Sequence, residues 1–199
     1  MFLLLLAVPV GAHDSTAQTP RPGETIAVIG PDAGAQWTRL LDDIAPAATL
    51  VVEKTDADPQ FPGRRHERLV QRYRGVRVWG GLINRQLDGA TMLSAFGTVY
   101  RTVDVPTILP RVSPAEARAA IATLSHSPGQ LVPVPELVIL PKEDQGFTLA
   151  YSSRVQSPDG PMVYFIDAAS GRVVWSYRDL QTQASDKMQD VTTALEDLS

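Results

Sequence analysis

The sequence predicts a mixed α+β fold of two small domains, each an antiparallel sheet packed with one helix. Three observations predict it. An apolar repeat at helical spacing occurs once in each half of the chain, at Trp37–Ile44 and at Ala117–Leu124. Each repeat is followed by short β-branched and aromatic runs separated by Gly, Asp and Pro. Between the halves, Pro106 and Pro110 interrupt the chain, which places a domain boundary near residue 110.

In the first half, Pro20, Pro22 and Gly23 close a linker over 18–23, and the folded segment begins near Glu24. Asp32 stands where a helix cap is expected. Trp37, Leu40, Leu41 and Ile44 then fall at i, i+3, i+4 and i+7, and Pro46 ends the helix because it lacks an N–H and clashes with the preceding turn. Thr49–Glu53 reads as a strand, 58–63 as a proline-containing loop, and His66–Val78 as one extended stretch. Leu82–Leu87 and Ala90–Phe96 flank Asp88 and Gly89, a pair suited to a tight hairpin turn, so the first sheet reads as a meander.

In the second half, Ser113, Pro114, Ala115 and Glu116 form a capping box with proline at the first helical position. Ala117, Ala120, Ile121 and Leu124 continue at helical spacing, and Ser127, Pro128 and Gly129 stop the helix. Strands are expected at Glu136–Leu140, Phe147–Val155, Met162–Asp167 and Arg172–Tyr177, with turns at 144–146, 158–160 and 169–171. On the last strand Val173, Trp175 and Tyr177 are expected to share one face, as core or interface.

The ends carry different signals. Phe2–Val10 is an apolar run far shorter than the roughly 20 residues of a membrane span, and small residues follow at Gly11, Ala12 and Ala17. Residues 1–17 therefore read as a signal peptide, which implies a secreted chain without a stable membrane span. A charged n-region is missing because Phe2 directly follows Met1. At the other end, 183–199 is an acidic tail or linker in which Met188, Val191, Leu195 and Leu198 form a stripe.

Composition excludes several classes. The chain has 199 residues, 44% hydrophobic and 20% charged, an ordinary globular balance that argues against disorder. It has no cysteine, so disulfides, thiolate metal sites and thiol nucleophiles are ruled out. A net charge of −4 offers no overall attraction to nucleic acid. Arg64, Arg65, Arg68, Arg72, Arg74 and Arg77 form a basic stretch, but on extended backbone they divide between two faces, so no nucleic-acid partner is expected.

His66-Glu67 begins like the zinc-binding His-Glu-x-x-His helix, yet Val70 stands where the second imidazole is required. Only His13 and His126 remain elsewhere, and no nucleophile elbow or phosphate-binding loop is present. No catalytic or metal-ligating residue is assigned.

Residues 66–80, His-Glu-Arg-Leu-Val-Gln-Arg-Tyr-Arg-Gly-Val-Arg-Val-Trp-Gly, resemble the fungalysin–thermolysin propeptide pattern His-x-Arg-x-x-Gln-x-Tyr-x-Gly-Val-Pro-Val-x-Gly. His66, Arg68, Gln71, Tyr73, Gly75, Val76, Val78 and Gly80 match, and Arg77 departs from the proline. Residues 164–174 resemble the strand, Asp-Ala-x-x-Gly turn and strand of a PepSY domain, matching at Asp167, Ala168 and Gly171. Arg178, Asp179, Leu180, Gln181 and Thr182 resemble the propeptide exit. The resemblance divides the chain into a propeptide-like domain over 24–110 and a PepSY-like domain over 111–182.

It implies a non-catalytic prosegment of a thermolysin-like metalloprotease, acting as inhibitor and intramolecular chaperone of that protease domain in cis or in trans. The exit segment is expected to face the protease cleft. Zinc, and calcium with it, would belong to the protease domain, leaving this chain without a cofactor. These 199 residues contain no such domain. The alternative is a free-standing secreted inhibitor or binding module built from the same two domains. The residues themselves support a mainly architectural motif, since Gly75 and Gly80 relieve backbone strain and Tyr73 and Trp79 supply apolar area.

Overall fold

Alternating apolar positions and short turns produce nine strands in a computed structural model that describes residues 20–44, 48–128, 131–144, 146–158 and 160–179. The order is β1 (Glu24–Ile29), α1 (Ala33–Asp43), β2 (Ala48–Ala57), β3 (Arg64–Tyr73), β4 (Val76–Asp88), β5 (Thr91–Val99), α2 (Pro114–Ser125), β6 (Glu136–Pro141), β7 (Phe147–Ser157), β8 (Gly160–Asp167) and β9 (Val173–Arg178). The signal-peptide segment, Pro46, Gly129 and the acidic tail lie outside the described residues.

Strands β2 to β5 form an antiparallel meander, with β1 antiparallel to the outer side of β5. Strands β6 to β9 form a second meander. The two share one sheet because β4 is long. Its first residues pair in parallel with β6 at Arg77↔Val138 and Val78↔Ile139, while 82–88 pair with β5. One core cluster also crosses residue 110, combining Ile26, Trp37 and Ile83 with Ile121, Tyr151 and Ile166.

Both helices contribute to that cluster, α1 through Ala33, Trp37 and Leu40 and α2 through Ala117 and Ile121. The apolar stripes expected from spacing are narrower in the fold. Leu41 and Leu124 stay 42% and 41% exposed, because a helix resting on a single sheet covers only the strip directly beneath it. Asp32 occupies the cap position of α1 without a side-chain cap bond. The capping box of α2 is complete: Glu116 N–H donates to Ser113 Oγ at 3.2 Å, and Ser113 N–H donates to Glu116 Oε2 at 2.7 Å.

Three local expectations are corrected. His66–Val78 is not one strand, since the chain reverses at Arg74 and Gly75, whose φ of 48° and 84° close a two-residue hairpin pairing Tyr73 with Val76. Positive φ at both central residues matches the twist of the flanking strands; Arg–Gly hides this turn because the usual signal is Asn–Gly. The next hairpin pairs Asp88 with Thr91, so its loop is Gly89–Ala90, one residue later than expected. In β9 a bulge lies between the pairs Phe165↔Trp175 and Ile166↔Val173. The extra residue puts Val173 against the helix-side core and turns Val174 to the face of Trp175 and Tyr177.

Candidate functional site

Most of the matched motif builds the joint where β4 changes partner. Gln71 is fully buried, and its side-chain amide pairs with the Tyr100 backbone: Nε2 donates to Tyr100 O at 2.7 Å, and Tyr100 N–H donates to Oε1 at 2.9 Å. The side chain thus stands in for a missing stretch of strand, satisfying backbone groups that the end of β5 would leave unpaired. Opposite it, residues 78–81 bulge between the pairs Arg72↔Arg77 and Val70↔Leu82. Gly80 has φ 79°, and a Cβ there would stand 3.0 Å from the Tyr100 hydroxyl. The bulge shifts the phase of β4, so that Val78 and Ile83, five residues apart, both reach the same core. Tyr73 is buried and Val76 packs on the same core.

His66 and Arg68 are exposed on the other face of β3. The His66 ring lies 3.2 Å from Asp58 Oδ2, and Arg68 lies 3.6 Å from Glu53. The backbone N–H of Gln60, helped by hydrogen bonds from His66 and the Phe61 backbone, outweighs desolvation and holds the pKa of the Asp58 carboxyl below its ordinary value. The basic stretch is locally engaged, not a free patch. Arg65 and Arg85 both bind Glu67, Arg64 lies over Phe61, Arg72 donates to Gly75 O, Arg74 lies over Tyr73, and Arg77 sits 3.7 Å from both Glu53 and Glu136. Glu67 is 8% exposed; burial pushes its pKa up, but the two guanidiniums outweigh that and leave it lowered.

Asp167 organises the turn between β8 and β9. It accepts from Ala169 N–H, Ser170 N–H and the Ser170 hydroxyl on Oδ1 and from the Thr148 hydroxyl on Oδ2. Burial raises its pKa, and these donors outweigh it, leaving the carboxyl below its ordinary range. Ala168 is 1% exposed, its carbonyl accepts from Arg111 and Val112, and Gly171 takes φ 74°. These three residues are architectural too. In the exit segment, Asp179 N–H bonds Pro161 O and its carboxylate meets Arg154 at 2.8 Å, while Arg178 ends β9; Leu180, Gln181 and Thr182 lie outside the described residues.

The feature suited to recognition is the sheet face turned away from the helices. A second cluster there comprises Val138, Leu140, Ala150, Val163 and Phe165, partly covered by Trp79, Val174, Trp175 and Tyr177. All nine residues come from strands, so no described helix or loop contributes to this cluster. Phe165 is fully buried beneath the other rings, with Trp79 edge-on at 4.8 Å and Trp175 stacked at 4.9 Å, and Tyr177 stacks on Trp175 at 4.6 Å. Burial and the Asp179 carboxylate raise the Tyr177 pKa, so the phenol stays neutral and able to donate. Trp175 and Tyr177 were legible as a pair from spacing; Trp79 joins them only because β4 reaches β6.

Among the described residues no cluster of three or more His, Asp or Glu is placed to hold a metal ion, and no helix is long and apolar enough to cross a membrane. The chemistry available is adhesion: half-buried aromatic rings beside an edge strand. The fold and this face define a mixed α+β, sheet-dominated protein, with two helices among the described residues.

No protein-family model matches the chain, and no curated protein does. Among solved structures it is similar to the Bacillus megaterium YpeB C-terminal domain, at 18% identity and a TM-score of 0.38, over 73% of this chain and 63% of that one.

Proposed function

We propose that this chain is a non-catalytic binding module, the propeptide region of a secreted thermolysin-like metalloprotease, with a propeptide-like domain over 24–110 and a PepSY-like domain over 111–182. The observation that carries the binding role is the aromatic sheet face of Trp79, Trp175 and Tyr177, which no described helix covers. Large rings held by their neighbours lose little conformational freedom on docking and bury much area, as binding hot spots do. The protease as partner rests on the sequence resemblance of residues 66–80 and 164–182.

Binding the native protease domain and not its unfolded chain stabilises the folded form by mass action, which is the chaperone role. The same contact blocks substrate access, which is the inhibitory role. Arg178 ends β9 next to Tyr177, and the exit segment from Arg178 to Thr182 is assigned to the rim of the protease cleft on the sequence resemblance. Zinc and calcium belong to the protease.

The test is titration of a thermolysin-like protease with the purified chain against a peptide substrate, repeated with Trp175→Ala. Stoichiometric inhibition weakened tenfold or more by the substitution supports the reading. Absence of both binding and inhibition across a panel of such proteases overturns it.

A further inference from the structure

Opposite α1, the first meander presents a face that the docking role leaves unused. Its rows follow from the strand register. Asn84 of β4 stands between Arg68 of β3 and Phe96 of β5, and Gln86 stands between His66 and Ser94. Residues paired across antiparallel strands point to one side, with Cβ atoms about 5 Å apart, and the two rows lie about 7 Å apart along the strand. Trp37 and Leu40 of α1 share a core with Ile83 and Ala95, the alternate positions, so these six side chains point away from the helix. They line an open cavity of about 470 Å³.

The polar groups there divide into two kinds. The charged ones are paired: Lys54 lies 2.9 Å from Asp56, Arg68 3.6 Å from Glu53, and the His66 ring 3.2 Å from Asp58. The Asn84 and Gln86 carboxamides and the Ser94 hydroxyl have no hydrogen-bond partner among the described residues. Each carboxamide offers two N–H donors and a carbonyl acceptor, and a hydroxyl both donates and accepts. Beside them Phe96 is 57% exposed, and Ile29 of β1, paired with Ser94, is 73% exposed. The surface is therefore amphipathic, apolar on one side and rich in unengaged donors and acceptors on the other.

Those properties select the ligand. A charged one would have to displace an existing ion pair, whereas a neutral one meets the free carboxamides directly. A pyranose fits, because its hydroxyls donate and accept as the carboxamides do and its C–H face can lie on an aromatic ring. We propose that Asn84, Gln86, Ser94 and Phe96 form a binding site for a neutral glycan, with one sugar ring over Phe96 and its hydroxyls on the two carboxamides. All four residues sit on paired strands, so the site is formed before the ligand arrives. It does not depend on protease docking at Trp175.

The test is a titration of the isotope-labelled full chain with cellotetraose, maltotetraose and N-acetylated chitotetraose, followed by NMR at the side-chain amide signals of Asn84 and Gln86. At least one sugar is expected to shift both signals saturably, while the indole signals of Trp79 and Trp175 stay in place. Asn84→Ala combined with Gln86→Ala is expected to weaken that binding about tenfold, the worth of one or two neutral hydrogen bonds. Phe96→Ser, at an exposed ring, is expected to weaken it similarly and serves where the double variant does not fold. No saturable shift with any of the three sugars at tens of millimolar overturns the proposal. A shift confined to the indoles, or binding that Phe96→Ser leaves unchanged, overturns it too. Saturation by tetra-alanine and by none of the sugars overturns it in favour of a peptide main chain.

Discussion

Gln71→Met tests whether the joint at residues 71, 80 and 100 holds the two halves of the sheet together. Methionine keeps the length and most of the volume of glutamine, so the change reads the hydrogen bonds and not a cavity. It leaves Tyr100 N–H and C=O without the partners now at 2.9 and 2.7 Å in a fully buried setting. An unsatisfied buried backbone group costs about 1–3 kcal/mol, so the pair costs about 2–6 kcal/mol, partly offset by the greater hydrophobicity of methionine. A net loss of about 3 kcal/mol corresponds to a fall in Tm of roughly 6–12 °C for a chain of this size. Urea unfolding of the full chain followed by circular dichroism measures it, with amide exchange at Tyr100 as the local readout. His66→Ala, at an exposed residue of the same motif, is the control and should stay within about 0.5 kcal/mol. A loss below about 1 kcal/mol for Gln71→Met, or equal losses for the two variants, refutes the structural role assigned to Gln71.

Glu67→Gln should destabilise the chain by about 1 kcal/mol at pH 7, because Arg65 and Arg85 lose their carboxylate while remaining partly solvated. The folded-state pKa of Glu67 lies below its ordinary 4.5, so this contribution is present above that value and is lost as pH falls through the folded-state pKa. Stability curves of the two proteins should therefore converge in acid; a constant difference down to pH 2 refutes the ion-pair account. Ser113→Ala should cost about 1 kcal/mol by removing one half of the capping box, read as a shifted urea midpoint at unchanged slope.

Where the physics is local, the elements were legible. Ser113-Pro114-Ala115-Glu116 specifies both ends of its own hydrogen bonds, and α2 starts there. The turn at 167–171 is likewise written in Asp167, Ser170 and Gly171. Legibility failed where a single residue changes the phase of a strand. The bulge in β9 separates Val173 from Trp175, and the bulge at 78–81 lets Val78 and Ile83 share a core; neither is visible in a period-two pattern. Gln71 was recognisable as a matched residue, but its role depends on Tyr100, 29 positions away, whose backbone it satisfies.

By itself the sequence determined both helices of the described residues and most strands in their order, because helical spacing, capping and turn chemistry act within a few residues of one another; it gave no sign of β1 (Glu24–Ile29) and merged β3 with the start of β4. It also determined, through the absence of cysteine, that packing and hydrogen bonding must hold the fold without disulfides. Only the tertiary structure decided that both meanders join through two parallel residue pairs on β4 and that both helices feed one core. It also brought Trp79 to Phe165 and Trp175 on the other face. Those outcomes depend on pairings between residues far apart in the chain, where the gain from burying shared apolar area must exceed the entropy of closing long loops, a balance no local pattern encodes.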